Sequence, residues 1–103
     1  MLKELTEVEI GEIGERYTIE WLKENGHTII QHDTRSPGST DIETDKWLVQ
    51  VKTSVWPKEP AELTPDEKRN IKSRATKLER VAYLSRVTLD EDGSKLDIRI
   101  TKP

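Results

Sequence analysis

Residues 46–52, KWLVQVK, set Trp47, Val49 and Val51 in alternation with Leu48, Gln50 and Lys52. A period of two puts one set on each face of a strand, with Trp47, Val49 and Val51 as the core-facing set. The nearest pairing partner for that strand is DIE, residues 41–43, joined to it through a tight Thr44-Asp45 connection. If those two residues form the turn, Glu43 pairs with Lys46, Ile42 with Trp47 and Asp41 with Leu48. Directly opposed residues share a sheet face, so Asp41, Gln50 and Lys52 converge on one side. A three-residue loop would slip the register by one and send Asp41 to the other face.

The remaining elements follow from spacing and punctuation. Residues 7–25 have helical spacing in two stripes, one of Ile13, Tyr17 and Trp21, the other of Gly11, Glu15, Thr18 and Leu22, and Gly26 supplies the stop. Glu15 occupies an inward position where an apolar residue is usual. HTIIQHD, residues 27–33, reads as a β-branched strand, and TRSPGST, residues 34–40, as a turn-rich loop. SVWPKEPAEL, residues 54–63, is an irregular connector. Thr64 as N-cap, Pro65 at the first helical position and Glu67 three residues after the cap open a second helix, with Ile71, Ala75, Leu78 and Ala82 on its apolar stripe. VAYLSRVTL and KLDIRI close the chain as strands around DEDGS. The order α-β-β-β-α-β-β predicts an α/β protein, a mixed sheet flanked by helices.

At 103 residues this is one domain, residues 1–103. The absence of cysteine excludes disulfides, thiolate metal sites and cysteine nucleophiles. The first residues are too charged for a secretory signal, and no apolar run approaches the roughly 20 residues of a membrane span, so the expectation is a cytoplasmic protein with no membrane partner. A net charge of −3 argues against a generic nucleic-acid coat. Residues 1–33 are acidic, whereas residues 68–86 are basic, with Lys68, Arg69 and Lys72 at the start of the second helix as candidate nucleic-acid contacts.

The convergent trio suggests chemistry. A hard divalent ion takes oxygen ligands and keeps several waters, which the Asp41 carboxylate and the Gln50 side-chain carbonyl could satisfy. A lysine two residues along the same face could stabilise charge on a phosphate or help to position and deprotonate a water. Together they describe metal-assisted phosphodiester hydrolysis.

The hairpin TDIETDKWLVQVK, preceded by GEIGERYTIEWLKENGHTII, resembles the core of the PD-(D/E)XK nuclease superfamily, in particular archaeal Holliday junction resolvases and related short nuclease-like proteins. The matching positions are Gly11, Gly14, Glu15, Leu22, Gly26, Arg35, Gly38, Asp41, Ile42, Gln50 and Lys52. The resemblance implies a restriction-endonuclease-like core and a Mg2+- or Mn2+-dependent endonuclease acting on DNA, branched DNA included, as a homodimer. It also implies roles: Asp41 as central metal ligand, Gln50 as second ligand, Glu15 as the helix acid reaching the metal directly or through water, Lys52 as catalytic lysine, and Arg35 as a phosphate contact.

Two departures stand out. Gln50 replaces the usual acid, a Q-x-K version resembling that of some active superfamily nucleases, including a transposon-end-cleaving enzyme. The interval from Asp41 to Gln50 is also shorter than in typical resolvases. Two other readings are a catalytically inactive nuclease-fold domain that binds nucleic acid or a protein, and an acidic α/β module that binds a protein through its first helix. His27 and His32, on opposite faces of one strand, read as surface or satisfied side chains. Trp56 either stacks on a base or packs over the sheet edge.

Overall fold

Two threonines open the two helices in the same way. Thr6 Oγ1 accepts from Glu9 N and Glu9 accepts in return from Thr6 N, both at 3.1 Å, starting α1 (Glu7–Glu24). Thr64 and Glu67 repeat the exchange at 3.2 and 3.0 Å and start α2 (Pro65–Leu78). Such reciprocal caps satisfy amide groups that a helix start leaves without partners. α1 ends where Gly26 takes a φ of 84°, and α2 ends at Glu79, which is left-handed at φ 58°. The computed structural model describes residues 4–33 and 40–103.

Five strands, β1 (Ile29–Asp33), β2 (Thr40–Thr44), β3 (Trp47–Val55), β4 (Val81–Leu89) and β5 (Lys95–Thr101), form one sheet in the order β1-β2-β3-β4-β5. β3 and β4 are parallel and the other neighbours antiparallel. A parallel pair needs a long crossover, and α2 lies within it.

Because a strand alternates its side chains, the sheet has two buried faces. Ile42, Val49, Val51, Val87 and Leu89 pack with Leu22 of α1, while Leu48, Ala82 and Leu84 pack with Leu63 and with Ile71 and Ala75 of α2. The chain is thus an α/β protein with a mixed sheet and a helix on each face. Among the described residues, no helix is long and apolar enough to cross a membrane.

The structure amends several local expectations. The observed register pairs Asp41 with Gln50, Ile42 with Val49 and Glu43 with Leu48, which makes Asp45 and Lys46 the turn residues in place of Thr44 and Asp45. Thr44 sets this turn: its Oγ1 accepts from Lys46 N at 3.1 Å and Trp47 N at 2.8 Å. The shift moves each β2 residue by two positions along β3, and a shift of two preserves the face. Both side-chain sets of β3 prove to be core-facing, since each face carries a helix. Ala82 belongs to β4, not to the α2 stripe, and Leu78 is exposed. β1 begins at Ile29, so His27 precedes it.

Candidate functional site

On the α2 face, β2 and β3 bring Asp41 directly across from Gln50, and Lys52 projects from the same side two residues further along β3. α2 closes over this trio with two side chains. Glu67, in its first turn, uses one carboxylate for two purposes: Oε1 accepts from Thr64 N, while Oε2 accepts from Lys52 Nζ at 2.7 Å and from Gln50 Nε2 at 3.3 Å. The Lys52 ammonium, with the Thr64 amide helping, holds the Glu67 carboxyl below the usual carboxylate range. Arg74, two turns on, donates from Nη1 to Asp41 Oδ2.

The two oxygens of Asp41 therefore differ. Oδ2 has its arginine, whereas Oδ1 is buried and has no hydrogen-bond partner. A buried acceptor without a partner costs on the order of 1–3 kcal/mol, so this oxygen stands ready for a cation or a donor. Beside it, a groove of about 320 Å3 is lined by Gln31, Asp41, Glu43, Leu48, Arg74 and Lys77. Its acidic wall is tied down at one end, where Arg80 Nη2 lies 3.3 Å from Glu43 and Arg80 Nε donates to Thr44 O at 2.8 Å.

Glu15 is not brought to this face. It is buried, as its position on the inward stripe predicts, but α1 covers the other side of the sheet, and its carboxylate lies 3.7 Å from His32 Nε2. His32 pairs with Ile42, an α1-face residue. Burial pushes the Glu15 carboxyl above its ordinary range, and the nearby His32 offsets part of that rise. The sequence-predicted quartet thus divides three to one. Among the described residues, no group of three or more His, Cys, Asp or Glu side chains is arranged to hold a metal.

Arg35 and Gly38 lie outside the described residues. Lys68 and Lys72 are exposed on α2, and Arg69 is paired with Asp66. His27 is buried against the Trp47 ring, with Nδ1 2.9 Å from Thr44 Oγ1, and desolvation lowers its pKa. Trp21, Trp47 and Tyr83 form a stacked series on the same side of the sheet.

Glu67 and Arg74 escaped the sequence reading. Glu67 carried a signal, the capping box, which accounts for one of its oxygens and is silent on the other. Arg74 was one cation among several on α2, and only the rotation of the docked helix selects it. The chain matches no protein-family profile and no curated protein.

Proposed function

We propose that the α2 face of the β2–β3 hairpin is the active site of a metal-dependent DNA endonuclease of the PD-(D/E)XK type. The observation that carries this reading is the buried, unpartnered Oδ1 of Asp41 directly across from Gln50, with Lys52 on the same face. Its donors are oxygens, which suits a hard ion such as Mg2+ or Mn2+. Asp41 Oδ1 and the Gln50 carbonyl would hold the ion, and Gln50 contributes no charge, so affinity should be modest. When bound, such an ion polarises a phosphoryl oxygen and makes a water a better nucleophile.

The protein's own residues supply the rest. Glu67 fixes the Lys52 ammonium in place and turns the Gln50 amide nitrogen toward α2. An incoming phosphate would share the Lys52 ammonium, which then stabilises the charge that builds up as the phosphodiester breaks. Arg74 holds Asp41 Oδ2, which would leave Oδ1 to the ion, and its guanidinium would add positive charge beside the phosphate. The resolvase-like form of the proposal includes a homodimer, since two matched cuts in a symmetric junction need two sites.

A second reading has its own support. Both charged members of the trio already have ion-pair partners, Asp41 with Arg74 and Lys52 with Glu67, as would suit an inactive nuclease-fold domain that binds DNA without cutting it. Cleavage of four-way, flapped, nicked, blunt and single-stranded DNA in Mg2+ or Mn2+ separates the two. The endonuclease reading predicts cutting by the wild type and a loss of about 100-fold or more in Lys52→Ala and in Asp41→Ala. Salt-sensitive binding with no cutting would select the inactive domain, and cutting that survives both substitutions would overturn the proposed site.

A further inference from the structure

The register across the second half of the sheet lines up three cations. Lys52 on β3 pairs with Arg86 on β4, and Arg86 pairs with Arg99 on β5. Paired residues share a face, so the three form a row on the α2 side. At about 4.8 Å between strands the row is roughly 10 Å long, and it leads away from the candidate active site. Each of the three has a carboxylate within ion-pair reach, Lys52 with Glu67 at 2.7 Å, Arg86 with Glu62 at 4.0 Å and Arg99 with Asp97 at 2.9 Å, and a phosphate chain lying along the row would share these cations.

Arg86 is fixed in the middle, donating to Pro60 O from Nε at 3.2 Å and from Nη2 at 2.6 Å. Arg99 at the far end is exposed, with Nε 2.9 Å from Asp97. Beyond Arg86 lies a groove of about 490 Å3 between the connector and β5, within the size range of small-ligand sites. Trp56, 61% exposed, and Leu96, 52% exposed, give it apolar lining. Glu59 and Asp97 add carboxylates beside the two arginines.

An exposed indole, guanidinium groups and carboxylate acceptors in one groove match the face of a base, a phosphate and the edge of a base. The ring offers a stacking surface, the arginines a phosphate contact, and the acids acceptors for exocyclic amino groups. A base can stack on a side chain only when it is free of its own helical neighbours. We infer that this groove binds an unpaired nucleotide of the DNA, with the backbone following the row from Lys52 through Arg86 to Arg99. The inference rests on the endonuclease reading for its direction and names a substrate class, DNA with an unpaired strand next to the scissile phosphate.

Fluorescence anisotropy with labelled oligonucleotides in EDTA tests it without cleavage. The wild type should bind a duplex bearing a single-stranded overhang more tightly than a blunt duplex. Trp56→Ala should weaken overhang binding by about 5- to 150-fold and leave blunt-duplex binding unchanged, while Trp56→Phe should retain most of the preference. Arg99→Ala should reduce the salt slope for the overhang by about one. Equal wild-type binding of the two DNAs, no binding to either, or an equal effect of Trp56→Ala on both would overturn the inference. Failure of the endonuclease reading looks different: the overhang preference and its dependence on Trp56 would persist, with no cutting in Mg2+ or Mn2+.

Discussion

Asp41 faces α2 from the sheet and Glu67 faces the sheet from the first turn of α2, and in each the two carboxylate oxygens have different surroundings. Glu67 gives one oxygen to the helix cap and the other to Lys52 and Gln50, so its replacement affects α2 and the site together. Its pKa is lowered on folding. The stability it supplies is therefore complete above the ordinary glutamate value of 4.5 and is lost as pH falls through the lower folded value. Glu15 has the opposite sign, because burial raises its pKa. Its charged form weakens the fold at neutral pH, and that penalty fades as the pH drops and the group binds its proton. Thermal melts should show Glu15→Gln more stable than wild type at pH 7, with the gap narrowing toward pH 4. Glu67→Gln should be less stable at pH 7 and converge on wild type only in stronger acid. A Glu15→Gln protein less stable at pH 7 would mean that the contact with His32 outweighs the burial cost.

At the level of elements, α1 lies tightly against β3 at Gly14. A Cβ at Gly14 would overlap the Thr53 side chain, and Thr18 Oγ1, one turn later, accepts or donates across to Ser85 Oγ at 2.8 Å. Gly14→Ala should cost about 1–3 kcal/mol by urea unfolding, and adding Thr53→Ala should recover part of the loss. Full stability in Gly14→Ala would place α1 further from the sheet. Gly14 thus has a packing reason to be glycine, independent of any chemistry in the motif around it. Both helix starts were legible in the sequence because a capping box is local. The hairpin register was not, because Thr44 and the Asp45–Thr28 contacts choose the turn, and Thr28 is distant in sequence. The face of Asp41, Gln50 and Lys52 survived that error because a shift of two keeps parity.

For the whole molecule, the α/β class and the layering followed from the alternation of helical and strand periods. A radius of gyration of 13.3 Å agrees with the roughly 13 Å expected of a folded chain of about 100 residues. What the pattern could not supply was which helix covers which face. The inward stripe of α1 made the burial of Glu15 readable, but inward on one side of a sheet is outward with respect to the other. The same limit hid Glu67 and Arg74, whose partners depend on how α2 docks. The proposed site depends on one oxygen on one face, the unpartnered Oδ1 of Asp41. Calorimetric titration of Mn2+ into wild type and into Asp41→Asn, a substitution of nearly the same shape, tests it most directly. Saturable binding of one ion per chain is expected in the wild type and its loss in Asp41→Asn; binding of equal strength in both proteins, or none in either, would rule out Asp41 as a metal ligand.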